Sequence, residues 1–136
     1  MPRISQASIS FNPCTGTLRG IHYQRAPFGE TKIVRCSRGA IYDVVLDLDG
    51  GRWFGIELTP DNGRLLLLPE GTAHGFQTLE PDTEVSYLIG GRYEPAAAAG
   101  VRWNDPAFDI SWPLEPTVIS DRDRAFPDFA PGRIQP

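Results

Sequence analysis

Short runs of β-branched and aromatic residues alternate along this chain with Gly, Pro, Asn and Asp, which is the pattern of an antiparallel all-β domain. Segments with helical periodicity are scarce. The pattern predicts strands over residues 31–36, 40–49, 53–59, 64–68, 74–79 and 84–89, with a further candidate at 108–112. The spacing of these segments favours a sandwich or a barrel.

The predicted strands are joined by segments that can supply the positive φ angle of tight hairpin turns. These segments are 37–39, 49–51, 61–63 and 90–91, and each contains glycine. Along 40–49 the side chains alternate between two faces. One face carries Tyr42, Val44, Leu46 and Leu48, and the other carries Asp43, Asp47 and Asp49. One face of this strand must therefore pack against a partner sheet.

Leucine occupies every position from Leu65 to Leu68, so that strand is apolar on both faces. Such a strand is expected where a sheet covers one side and another element or subunit covers the other, and dimerisation would provide this cover. Beyond Pro113 proline and charged residues become more frequent. Ser120 and Asp123 have the spacing of a helix cap, which predicts a short C-terminal helix.

The composition is that of one ordinary globular domain covering residues 1–136, with 40% hydrophobic and 22% charged residues. No apolar run is long enough to span a bilayer, and the first residues lack the apolar core of a signal peptide. We therefore expect a cytoplasmic protein, in which Cys14 and Cys36 are reduced thiols. The net charge of −4 argues against general nucleic-acid binding, which requires clustered cations.

The chain contains two histidines, His22 and His74, so one chain cannot supply a three-histidine metal site. Two histidines with a carboxylate remain an open alternative, although no H-x-H or H-x-D/E pair is present. We expect chemistry without a metal or another cofactor.

Each polar residue of interest also has a structural explanation when it is considered singly. Either histidine is compatible with a hydrogen-bonded position in the core or at its rim. Tyr87 alternates with apolar neighbours as a core tyrosine does, and Asp123 has the spacing of a capping residue. No single one of these residues identifies an enzyme.

Together, several collinear motifs resemble the dTDP-4-dehydrorhamnose 3,5-epimerase family of deoxysugar biosynthesis. The resemblance extends in order from about Gln6 to about Phe126. Its motifs are Leu-Arg-Gly-Ile-His-Tyr-Gln at 18–24, Lys-Ile-Val-Arg-Cys at 32–36, Arg-Gly-Ala-Ile-Tyr-Asp-Val at 38–44, Pro-Glu-Gly-Thr-Ala-His-Gly-Phe at 69–76, Glu-Val-Ser-Tyr at 84–87, Tyr-Glu-Pro at 93–95, Trp-Asn-Asp-Pro at 103–106 and Ile-Ser-Trp-Pro at 110–113. The resemblance implies a cupin-like jelly roll, or double-stranded β-helix barrel, with a short C-terminal helical segment.

The resemblance implies a metal-independent epimerase that acts on a nucleotide-activated 4-keto-6-deoxy sugar at C3, C5 or both. By motif, His22 is the catalytic base, Asp123 is the carboxylate partner of that histidine, and Tyr87 is the acid. A carboxylate at one imidazole nitrogen fixes the tautomer, and a phenol is a competent proton donor to an enolate.

The resemblance also implies which residues bind the substrate and which oligomer the chain forms. The binding residues are Arg19, Gln24, Lys32, His74, Tyr93 and Arg122. Lys32 is the only lysine in the chain, and its compact ammonium can approach an enolate oxygen closely. The implied ligand is a dTDP-linked sugar, and the implied assembly is a homodimer without nucleic-acid or membrane partners.

The chain departs from the family pattern at three places. Only residues 1–16 precede the first motif, Ser8 replaces a usual asparagine, and alanines occupy 96–99 where an acidic contact is common. Two alternatives to a 3,5-epimerase follow from these changes. The chain is either a non-catalytic protein that binds a nucleotide sugar or stabilises a partner, or a cupin-type ketoisomerase that moves the keto group.

Overall fold

The computed structural model describes residues 3–129, and their backbone is almost entirely strand and turn. The strands are β1 (Ile4–Asn12), β2 (Leu18–Gln24), β3 (Thr31–Arg38), β4 (Ile41–Asp47), β5 (Arg52–Leu58), β6 (Leu66–Leu68), β7 (Thr72–Thr78), β8 (Thr83–Gly90) and β9 (Ala98–Gly100). A 3₁₀ turn covers Pro95–Ala97, and a single-turn helix, α1, covers Asp121–Arg124. The all-β class and the short C-terminal helix are as the sequence predicts.

The strands form two antiparallel sheets. One sheet has four strands in the order β1-β8-β3-β6, and the other has five in the order β5-β4-β7-β2-β9. The predicted turns hold, because Gly39, Gly51, Gly63 and Gly91 all have positive φ angles. This two-sheet barrel agrees with the jelly roll implied by the resemblance.

The strand predicted at 108–112 is wrong. These residues are irregular coil between Pro106 and Pro113, and they lie over the outside of the five-stranded sheet. Phe108 packs into the core there, while the Trp112 indole donates a hydrogen bond to the Trp103 carbonyl at 2.9 Å. Burial of large side chains thus replaces sheet pairing in this segment.

Both faces of β4 are covered, and this produces two separate cores. The face with Val44 and Leu46 packs against the C-terminal coil through Val101 and Phe108. The face with Ile41 turns towards the other sheet. Consequently Asp43, which shares the Ile41 face, points into the barrel interior and is fully buried.

Strands β2 and β7 approach each other unusually closely at two glycines. A Cβ atom on Gly20 would lie 2.7 Å from the Gly75 Cα atom, and one on Gly75 would lie 2.8 Å from the Arg19 carbonyl oxygen. Neither contact is tolerable, so only glycine fits at either position. This approach fixes the segment of β2 that carries His22.

The leucine run has one covered face and one exposed face. Leu66 and Leu68 face the interior, whereas Leu65 and Leu67 are 56% and 58% exposed. Strand β6 lies at the edge of the four-stranded sheet, so its outer face has no cover within residues 3–129.

Candidate active site

Two adjoining cavities, each of about 160 Å³, open between the sheets. His22 and Lys32 line both of them, so the two cavities form one cleft. The inner cavity is also lined by Arg19, His74 and Tyr87. The outer cavity is also lined by Gln24, Tyr93 and Arg122. The fold therefore brings eight of the nine predicted site residues to one cleft, and the ninth, Asp123, lies behind His22.

His22 and Asp123 form a close pair across 101 positions of sequence. The His22 Nε2 atom lies 2.6 Å from Asp123 Oδ1, and the His22 side chain is 39% exposed while that of Asp123 is 6% exposed. The Asp123 carboxylate also accepts a hydrogen bond from the Gly20 amide at 2.9 Å. The carboxylate is thus buried and fixed, and the imidazole is open to the cleft.

Charge interactions keep Asp123 ionised. Burial alone would favour its neutral form, but hydrogen bonds from His22 and the Gly20 amide, with the charges of His22 and Arg122, outweigh burial and hold the pKa of Asp123 below its ordinary value. An ionised carboxylate at Nε2 orients the ring and leaves its other nitrogen free to accept a proton.

The C-terminal segment places Asp123 through a local cap and an aromatic contact. The Ser120 hydroxyl accepts a hydrogen bond from the Asp123 amide at 3.1 Å, which confirms the predicted cap. Phe126 contacts the His22 ring edge to face, with centroids 6.0 Å apart. A Cβ atom on Gly100 would overlap the Phe126 ring, so this glycine makes room for the contact. The sequence reasoning did not identify Phe126 or Gly100.

Tyr87 enters the cleft from the opposite sheet. It pairs with Val34 of β3 and Ser8 of β1, and Ser8 also lines the inner cavity. Burial and the nearby negative charge of Asp43 raise the pKa of Tyr87 above its ordinary value, against the opposing effect of Arg19. The phenol is therefore a proton donor in its resting form.

Lys32 lies on the same inner face as Tyr87, because it pairs with Ile89 while Tyr87 pairs with Val34. Burial lowers the pKa of Lys32, and the negative charges of Glu30 and Asp43 partly offset this effect. A partly desolvated ammonium interacts more strongly with a developing anion than a hydrated one does.

His74 sits beside His22, since the two residues are direct partners of strands β7 and β2. Its Nε2 atom lies 2.7 Å from the Asp43 Oδ1 atom, and both side chains are almost completely buried. The two atoms are within hydrogen-bond distance, although the N–H direction at Nε2 is poorly aligned with Oδ1. Sequence reasoning placed Asp43 on a face of β4 and gave it no role. The available signal was that Asp43 shares this face with the apolar residues Ile41 and Val45, which indicates a buried carboxylate.

Arg19, Tyr93 and Arg122 surround the cleft as exposed groups. The Arg19 Nε atom donates to the Asn12 side chain at 2.6 Å, which orients the guanidinium. Tyr93 is 62% exposed at the outer cavity, where Arg122 also lies. A cationic and aromatic rim of this kind suits a ligand that combines phosphate with a planar base.

Gln24 lines the outer cavity, and its side chain also bonds to the backbone of the neighbouring loops. Its amide nitrogen donates to the carbonyl oxygens of Phe28 and Arg92 at 2.7 and 3.0 Å, and its amide oxygen accepts from the Glu94 amide at 3.0 Å. These backbone bonds use both donors of the side chain. Gln24 therefore braces the two loops that border the outer cavity.

Two kinds of feature are absent from residues 3–129. No group of three or more His, Cys, Asp or Glu side chains lies close enough together to hold a metal ion. None of the helices is long and apolar enough to cross a membrane.

Comparisons with known proteins match nearly the whole chain. The profile of the family described as dTDP-4-dehydrorhamnose 3,5-epimerase matches residues 1–131. A protein of that name from Sinorhizobium fredii is 41% identical over 130 residues, which cover 91% of this chain and 67% of that protein. A dTDP-4-dehydrorhamnose 3-epimerase from Streptomyces niveus is 39% identical over 127 residues, which cover 90% of this chain and 61% of that protein.

A solved structure is similarly close. The crystal structure of a dTDP-4-dehydrorhamnose 3,5-epimerase from Bacillus anthracis, with TDP and PPi bound, superposes with a TM-score of 0.90 at 40% identity. The match covers 94% of this chain and 76% of that one. The chain spans about two thirds or less of the length of the curated relatives that it matches.

Proposed function

This chain belongs to the dTDP-4-dehydrorhamnose 3,5-epimerase family, and on that premise we propose that it epimerises a dTDP-linked 4-keto-6-deoxy sugar at C3, C5 or both. One observation carries the proposal. His22 on one sheet and Tyr87 on the other line the same cavity, with Lys32 beside them. Inversion at a carbon requires proton removal from one face and proton return to the other, and this arrangement supplies both groups.

In the proposed reaction, the free nitrogen of His22 removes the proton from the carbon next to the C4 ketone. The electron pair of the broken C–H bond becomes the enolate, whose negative oxygen is stabilised by the Lys32 ammonium. Tyr87 then donates its hydroxyl proton to the same carbon from the opposite face. His22 ends protonated and Tyr87 ends ionised, so one proton must pass between them through solvent before the next turnover.

The proposed substrate orientation follows from the charges at the rim. Arg19 and Arg122 bind the diphosphate, since a guanidinium makes two parallel hydrogen bonds to phosphate oxygens. Tyr93 stacks on the thymine base at the outer cavity. The sugar then extends inward to His22, which lines both cavities.

Solvent exchange tests the proposal directly. Incubation with a dTDP-4-keto-6-deoxyhexose in D₂O is expected to place deuterium at C3, C5 or both, and His22→Ala should abolish the exchange. NMR of the product gives the position of each label. Binding without any exchange would instead identify a non-catalytic nucleotide-sugar protein, and a 3-keto product would identify a ketoisomerase.

We further propose that the chain acts as a homodimer in the cytoplasm. The outer face of the four-stranded sheet carries an apolar row, Ala7, Leu88, Ile33 and Leu67, aligned by the strand register. Leu88 and Leu67 are 41% and 58% exposed, so this row is available to a second copy. Sedimentation should show a dimer that Leu67→Glu dissociates, and a monomer at micromolar concentration would refute the assembly.

A further inference from the structure

Asp43 is a buried carboxylate in the barrel interior. It has no exposed surface, and its direct neighbours on the adjoining strands β5 and β7 are Ile56 and Phe76. Its close polar contact is with His74, whose Nε2 atom lies 2.7 Å from Oδ1, and neither oxygen accepts a well-aligned hydrogen bond from residues 3–129. A buried carboxylate with so little hydrogen bonding costs folding free energy, so packing and stability do not explain its presence.

Within residues 3–129, three titratable groups of the cleft interact with Asp43. His74 on β7 is a diagonal neighbour, with Nε2 2.7 Å from Oδ1. Lys32 on β3 and Tyr87 on β8 face it from the other sheet and interact with it electrostatically. Burial raises the pKa of Asp43, while the charge and hydrogen-bonding contact of His74 and the charge of Lys32 act in the opposite direction.

We propose that Asp43 is a positioning residue that holds the His74 ring protonated at Nε2, so that Nδ1 is the nitrogen that meets the substrate. A carboxylate beside one ring nitrogen selects the tautomer and fixes the ring plane. The cleft then contains two histidine–aspartate pairs on neighbouring strands. The His22 pair moves the proton, and the His74 pair fixes the sugar beside it. This inference rests on the proposed function for its kinetic consequence only.

The test uses Asp43→Asn in the full chain, because the amide keeps the size of the carboxylate and removes its charge. The exchange rate at saturating substrate should fall roughly 10- to 100-fold, by analogy with carboxylates that orient metal-bound histidines. The melting temperature should stay unchanged or rise, because the buried charge is lost. A role limited to folding would instead lower the melting temperature while sparing the rate of the folded fraction.

Asp47→Asn is the matched control. Asp47 lies four positions along the same strand and pairs with Arg52 at the surface, at 3.6 Å. Its substitution removes one carboxylate from β4 and should leave the exchange rate unaltered. A second comparison uses His74→Asn. If Asp43 acts through His74, adding Asp43→Asn to His74→Asn should not lower the exchange rate further.

The ring nitrogens of His74 provide a readout that does not depend on turnover. The chain has two histidines, so nitrogen NMR of histidine-labelled protein shows two rings, and His22→Ala assigns them. The unaltered protein should show His74 protonated at Nε2, and Asp43→Asn should show a mixture of tautomers. A His74 ring protonated only at Nδ1 in the unaltered protein overturns the inference even if Asp43→Asn does not fold. Absence of exchange by the unaltered protein would refute the proposed function and leave this measurement intact.

Discussion

Replacing Asp123 with asparagine should disable the proposed base and leave its position unchanged. In the unaltered protein the two carboxylate oxygens have different partners, with Oδ1 2.6 Å from His22 Nε2 and Oδ2 2.9 Å from the Gly20 amide. Asparagine has only one acceptor oxygen. If that oxygen keeps the Gly20 hydrogen bond, the amide NH₂ faces His22 Nε2, and the ring must accept there and carry its proton on the nitrogen that should act as the base.

The expected loss is large because the wrong tautomer has no free base on the cleft side. Positioned acid–base groups contribute roughly 10²–10⁴-fold, and we expect a fall in the exchange rate of about 10³, or about 4 kcal/mol in the activation barrier. In the alternative rotamer the amide oxygen faces His22 and the amide NH₂ faces the Gly20 N–H. Two donors then oppose each other, and the variant loses stability instead of activity. In either rotamer, the measured loss comes from disrupting one of the two hydrogen bonds of Asp123, to His22 or to Gly20.

The assay is deuterium exchange in D₂O, compared with Asp121→Asn. Asp121 lies on the same helical turn and is exposed, so its substitution controls for lost charge at the helix start. The reasoning is refuted if Asp123→Asn keeps more than about a tenth of the rate. The pH dependence supplies a second check. The pKa of Asp123 is lowered on folding, so its stabilising effect is present above about pH 4 and is lost as the pH falls through its folded pKa.

Three further predictions concern groups around the cleft. Gly100→Ala should displace the Phe126 ring and lower the exchange rate, and a rate equal to that of the unaltered protein would show that the ring contact is dispensable. Arg122→Gln should raise KM for the dTDP sugar more than Arg124→Gln does, since only Arg122 of the two lines the outer cavity; equal KM values would contradict its assignment. Burial raises the pKa of Asp43, so ionisation on raising the pH favours the unfolded chain, and the gain in melting temperature of Asp43→Asn should grow from about pH 4 to pH 7; a gain that shrinks over this range would show the sign to be wrong.

Local chemistry in the sequence was sufficient for the parts of the fold that depend on neighbouring residues. Glycine at 39, 51, 63 and 91 has the positive φ angle that its turn requires. The Ser120 cap and the short helix after it follow from one spacing of three residues. These features form in the same way wherever the segment lies in the barrel, so the sequence predicts them without any knowledge of tertiary structure.

Features that depend on contacts between segments far apart in the sequence were not predictable in this way. The 108–112 segment has the composition of a strand, but its apolar side chains fill the outer face of the five-stranded sheet as coil. Alternation placed Asp43 on one face of β4 and could not tell whether that face meets water or the interior. The pairing of His22 with Asp123 joins residues 101 positions apart, so only the family resemblance pointed to it.

The two aspartates beside the cleft histidines, Asp123 and Asp43, have opposite effects on stability. Asp123 has hydrogen bonds to two groups and a lowered pKa, so it contributes to folding while it orients His22. Asp43 has no well-aligned hydrogen bond within residues 3–129 and has a raised pKa, so it costs stability where it stands. A sandwich keeps its facing sheets about 10 Å apart, which leaves room for one sugar ring between a base on one sheet and an acid on the other. Residues that pack the apolar half of the interior, such as Val34 beside Tyr87, therefore set the distance between the reacting groups, and a cavity made there should slow exchange before it unfolds the chain.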